Sequence, residues 1–87
     1  MADILLVDDE KSNRVTLTAF LKKEGYHVED AANGEEAVEK FKEHFFDLVI
    51  TDLKMKPVDG LAVLKQVKAI NPMTEVLMLT GFGTVES

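Results

Sequence analysis

Apolar and polar positions along this chain switch between a strand period and a helix period, and the switches mark its elements. Residues 3–7 contain the unbroken apolar run Ile4-Leu5-Leu6-Val7, the pattern of a strand buried on both faces. Residues 11–24 take helical spacing, with Leu17, Phe20 and Leu21 on one face and Gly25 as the stop. Residues 27–31 form a shorter, more polar strand, which suits a sheet edge. Asn33 has the character of an N-cap, and Glu36 three residues later completes a capping-box pattern. The helix behind it carries the apolar stripe Ala37, Val38, Phe41 and Phe45. A third strand is predicted over 47–51. Asp59 then caps a helix over 60–70, which carries Leu61, Leu64 and Val67 and ends before Asn71-Pro72. Residues 74–79 read as a fourth strand, Gly81 and Gly83 as a loop, and Thr84 as the cap of a further helix.

Strands and helices that alternate strictly specify a parallel sheet with helices on its faces, a doubly wound α/β domain. Crossovers in such sheets are right-handed, which leaves few topologies. With the polar second strand at an edge, the simplest order is 2-1-3-4. The chain then reverses direction between strands one and three, and ligands of open α/β sheets bind at that switch point.

Composition narrows the class. Eighty-seven residues suffice for one domain with a thin core. A hydrophobic content of 46% beside 30% charged residues is ordinary for a soluble globular chain. There is no cysteine, so disulfides and thiolate metal sites are excluded. No apolar run is long enough to span a membrane. The start, Met-Ala-Asp, lacks the basic and apolar regions of a signal peptide, so a cytoplasmic location is expected. A net charge of −6 without a basic cluster argues against direct nucleic-acid binding by this segment.

The candidate chemistry is acidic. Asp8 and Asp9 close the first strand, and Asp52 closes the third. If those strands are parallel neighbours, about 4.8 Å apart, the carboxylates gather at one end of the sheet. Two unit charges about 5 Å apart repel by roughly 3 kcal/mol at an effective dielectric near 20. Such a cluster calls for a compensating cation. Taken alone, an acidic pair after a strand can also serve as a helix N-terminal cap held by the dipole. His27 and His44 have no partners at metal-ligand spacing and read as ordinary edge or surface residues.

These residues resemble the receiver domain of two-component response regulators. The resemblance rests on Asp8-Asp9 after strand one, Asp52 after strand three, the segment Asp52-Leu53-Lys54-Met55 leading to Asp59-Gly60, and Thr80-Gly81 after strand four. The wording Thr51-Asp52-Leu53-Lys54-Met55 and Leu79-Thr80-Gly81-Phe82-Gly83 is most similar to receivers of nitrogen-regulation-type transcriptional activators. It implies a flavodoxin-like fold, for which the order 2-1-3-4-5 is a known example. It implies that Asp52 is the phosphoryl acceptor, charged by a histidine kinase, and that the module is not an enzyme in its own right. It further implies Mg²⁺ bound by Asp9, Asp52 and the backbone carbonyl of Lys54, with Asp8 acting through water or from behind the ligands. Thr80 would contact the phosphoryl group and move as the switch.

Two departures from the family pattern stand out. The usual proline four residues after the acceptor is replaced by Lys56, with Pro57 next. The sequence also ends at Ser87, before the family's fifth strand, last helix and phosphoryl-contacting lysine. Residues 1–87 are therefore expected to form a single receiver-like domain that lacks its final βα unit, with impaired phosphoryl transfer. An uncovered fourth strand and a bare apolar sheet face imply a homo-oligomer. Two alternatives stay open: an inactive, self-associating receiver fragment, and a Mg²⁺-dependent phosphohydrolase with Asp8 as nucleophile. Enzymes of the latter kind usually carry acids two apart on the first loop, and here Glu10 holds the second place.

Overall fold

Alternate residues of the first strand enter two different cores, which is why its apolar run has no polar gap. The computed structural model describes residues 2–52 and 60–79, apart from the side chains of Asp52 and Leu79. The elements run β1 (Asp3–Val7), α1 (Lys11–Lys23), β2 (His27–Ala31), α2 (Gly34–Glu43), β3 (Leu48–Asp52), α3 (Gly60–Ile70) and β4 (Glu75–Leu79). All strand pairings are parallel, in the order β2-β1-β3-β4. This is the flavodoxin-like, doubly wound sheet expected from the alternation of patterns. Asp59, Gly81, Gly83 and Thr84, read as caps and loop markers, lie outside the described residues.

On one face Leu5, Val7, Ala31 and Val49 meet Ala37 and Phe41 of α2, Phe46, and Val63 and Val67 of α3. On the other, Ile4, Leu6, Val28 and Ile50 meet Leu17 and Leu21 of α1. Burying such side chains contributes about 1.5–3 kcal/mol each, so the first face carries most of the stabilisation. The α1 face is thinner, and no residue of α1 is fully buried.

Three aromatic or aliphatic positions differ from the sequence reading. Phe20 is 57% exposed. The buried stripe of α1 is centred between Leu17 and Leu21, and at about 100° per residue Phe20 falls on its flank. Phe45 is 51% exposed, while Phe46 is 1% exposed. Helix α2 ends at Glu43, and His44 is extended with φ −155° and ψ 137°. Past the helix end Phe45 is left exposed and Phe46 is buried. Leu61 is 51% exposed because α3 buries Val63 and Val67, and Leu61 lies about 200° around the helix from Val63. Two strands also start one residue later than expected, at Leu48 and Glu75, and β3 extends to include Asp52.

The local signals are realised. Asn33 Oδ1 accepts the Glu36 N–H at 2.8 Å. Glu36 Oε1 in turn accepts the N–H of Ala32 at 2.9 Å, one residue before the cap, instead of the cap's own N–H. Gly25 takes φ +102°, the left-handed turn that ends α1 and that side-chain-bearing residues avoid.

Candidate functional site

Strands β1 and β3 are neighbours, with Val7 opposite Thr51. The next residue on each is an acid, Asp8 and Asp52. Both therefore stand at the carboxyl end of the sheet, at the point where the chain steps from β1 outward to β2 and then back across to β3. On the far side of β3, Asp52 pairs with Leu79, the last residue of β4. Thr80 follows directly in sequence; it and Lys54 lie outside the described residues. Asp9 is exposed on the loop to α1, whereas Asp8 is 7% exposed.

The geometry does not favour a simple helix cap for the acidic pair. The N-cap of α1 is Glu10, which makes no side-chain capping bond, and the first turn holds no acid. Asp8 instead bonds within its own loop: its Oδ1 accepts the Glu10 N–H at 2.9 Å, an Asx turn. Its backbone N–H donates to Ala31 O at 3.1 Å, which ties the loop to the end of β2. Asp8 thus has a structural part in shaping this turn, beside any role at the site.

The donor chemistry fits Mg²⁺. Carboxylates at the ends of two adjacent strands are hard oxygen ligands, few in number, of the sort that ion takes while keeping several waters. Among the described residues, no group of three His, Cys, Asp or Glu side chains is placed to hold a metal alone. Asp8 and Asp9 would need the carboxylate of Asp52 to complete such a set.

Two features escaped the sequence reading. Arg14, on the first turns of α1, donates from Nη1 to the Asp8 carbonyl at 2.9 Å and from Nε to Asp30 Oδ2 at 3.2 Å. Lys40 Nζ reaches the Asp30 carbonyl at 2.6 Å. The available signal was that Arg14 is the chain's single arginine, placed just after the acidic pair. At the opposite end of the sheet, Asp3 joins both histidines. His27 Nδ1 lies 3.1 Å from Asp3 Oδ1, and His44 Nε2 3.3 Å from Asp3 Oδ2. They border a cavity of about 320 Å³ floored by Val28 and Phe46. That cavity is remote from the carboxyl-end acids.

A family model described as the response regulator receiver domain matches residues 4–87. The chain is a response regulator receiver domain. The receiver is 45% identical over 85 residues to the transcriptional regulatory protein ZraR of Escherichia coli (strain K12), a match covering 98% of this chain and 19% of that protein. It thus spans about one fifth of the length of that curated relative. Among solved structures it resembles the chemotaxis protein CheY4 of Vibrio cholerae, with TM-score 0.91 and 38% identity over 100% of this chain and 72% of that one. The Thermotoga maritima response regulator TrrA, solved in complex with Mg²⁺-BeF, gives TM-score 0.87 and 40% identity, covering 92% of this chain and 70% of that one. TrrA has also been solved in complex with the histidine kinase ThkA, where TM-score is 0.89 and identity 38%, over 100% of this chain and 75% of that one. No helix among the described residues is long and apolar enough to cross a membrane.

Proposed function

We propose that this receiver accepts a phosphoryl group on Asp52 from the phosphohistidine of a histidine kinase. A carboxylate oxygen of Asp52 attacks phosphorus and the bond from phosphorus to the imidazole nitrogen breaks; with the ring's other nitrogen already protonated, the histidine leaves neutral and the product is an aspartyl phosphate. Asp9 and Asp52, with the backbone carbonyl of Lys54, would hold Mg²⁺, and Asp8 would act through a bound water. When bound, the ion neutralises charge on the transferring group and offsets repulsion among the carboxylates. Thr80 would donate its hydroxyl to a phosphoryl oxygen, and its movement would signal the modification. The module regulates and does not turn over a substrate as an enzyme does.

The observation that carries this reading is the register of β1 on β3, which sets the acids of two strands at one switch point. The pairing of TrrA with ThkA supports a kinase as donor, and its complex with Mg²⁺-BeF supports the ion. Incubation with acetyl phosphate and Mg²⁺ should add one phosphoryl mass on Asp52, and Asp52→Asn should abolish the adduct. An adduct that persists in Asp52→Asn, or phosphatase turnover that survives it, would point back to Asp8 chemistry. No adduct on the wild-type chain would favour the inactive fragment.

The same span is proposed to self-associate. Leu77 on β4 is 50% exposed on the sheet face that α1 covers only in part. Among the described strands β4 is outermost, and an apolar edge with no partner among them invites a second copy. Sedimentation should show a species heavier than the monomer, weakened by Leu77→Lys. A monodisperse monomer would refute this.

A further inference from the structure

Asp9 is exposed, yet the proposed metal site needs it held in one direction. Its carboxylate has no hydrogen bond to another described residue. Among the described residues it is the backbone that constrains where this side chain starts, beginning with the peptide that joins it to Asp8. That peptide is a rigid plane, so whatever fixes the Asp8 carbonyl fixes where Asp9 starts. Arg14 Nη1 donates to that carbonyl at 2.9 Å. The same guanidinium is anchored from the other side by Asp30 Oδ2, 3.2 Å from Nε. Asp30 is itself placed by β2, opposite Leu6, and its carbonyl is held by Lys40 of α2. The arginine side chain is 16% exposed and Asp30 45%. The guanidinium is thus part-buried and held on two sides, unlike an ion pair between two exposed side chains, which contributes little.

We propose that Arg14 is a positioning residue for metal binding: it locks the Asp8–Asp9 peptide, and through it the Asp9 carboxylate, in the orientation that Mg²⁺ requires. This rests on the reading of Asp8, Asp9 and Asp52 as a Mg²⁺ site. A planar fork with two directed donors is needed to bridge a carbonyl and a carboxylate at once. Lysine offers one nitrogen on a shorter stem and does not replace it.

Charge makes the test decisive. Arg14 is a cation close to the acids, so removing it raises the negative potential there and, on Coulombic grounds alone, tightens Mg²⁺ binding. Loss of positioning weakens it. The two effects have opposite signs. The experiment titrates Mg²⁺ into the 87-residue chain, with Arg14→Met and Arg14→Lys alongside wild type. Calorimetry supplies the readout, and urea melts in chelator confirm that each variant is folded at the titration conditions. Both variants should lose about tenfold in Mg²⁺ affinity, the usual scale for groups that orient a metal ligand. Affinity equal to or tighter than wild type in either folded variant overturns the proposal. If Arg14→Met does not fold, Arg14→Lys decides, since it keeps the charge and loses the fork. Absence of Mg²⁺ binding by the wild-type chain sinks the site reading itself, and this inference with it. Wild-type binding with unaltered variants sinks only the role of Arg14.

Discussion

Phe46→Ala should leave the chain largely unfolded at room temperature, while Phe45→Ala should change stability by no more than about 0.5 kcal/mol. Phe46 is 1% exposed and Phe45 51%. The Phe46 ring stacks on Phe41 with centroids 6.2 Å apart and meets His44 edge-on at 4.7 Å. Its backbone carbonyl accepts the buried Thr74 hydroxyl at 2.8 Å, which ties the entry of β3 to that of β4. Truncating a buried phenylalanine costs about 3–5 kcal/mol. A domain of this size has a total stability at the lower end of about 5–15 kcal/mol, so the loss is of the same order as the whole. Urea melts followed by far-ultraviolet circular dichroism would measure both variants. Equal effects at the two positions would contradict the inward turn after α2.

Magnesium should raise the melting temperature of wild type by about 10–20 °C at one hundred times its dissociation constant. Ligand linkage at that excess supplies about 2.7 kcal/mol, and a chain of this length gains about 4–8 °C per kcal/mol. Asp9→Asn should abolish the shift. In chelator the same substitution should raise stability, because one of the neighbouring negative charges is gone and no ion is present to need it. The paired signs matter more than either number. An ordinary surface aspartate would move neither melt, and a helix-capping aspartate would lower the chelator melt when neutralised. Thermal scans with and without the ion, at fixed protein concentration, read both. A wild-type melt indifferent to Mg²⁺ would remove the basis for the metal site.

Much of the architecture was legible from residue order because the signals are local. A run such as Ile4-Leu5-Leu6-Val7 can only be buried on both faces, and Asn33 with Glu36 announces a helix start wherever it stands. The polarity of His27-Val28-Glu29-Asp30-Ala31 marked β2 as an edge, and it is one. The ends of elements were less legible. Phe45 and Phe46 are adjacent aromatics, and which one points inward depends on where α2 stops. Spacing groups Phe20 and Leu61 with the apolar residues of their helices; the helices' rotation against the sheet leaves both exposed.

For the site, sequence supplied the acids and tertiary structure supplied their neighbours. Asp8, Asp9 and Asp52 can be proposed from sequence because they close apolar strand runs in an order that resembles the receiver pattern. Arg14 and Asp30 were not, because they are 16 residues apart and meet only once α1 lies across β1 and β2. Likewise His27 and His44 share the Asp3 carboxylate only because β1 pairs with β2 and the end of α2 lies beside them. The chain by itself determined its period, its strand order and the chemical type of its acids, since these follow from side-chain size, charge and spacing. Folding alone decided which aromatic fills the core and which cation braces the acidic loop. Those outcomes depend on helix rotation and on contacts between distant segments, which no local pattern encodes.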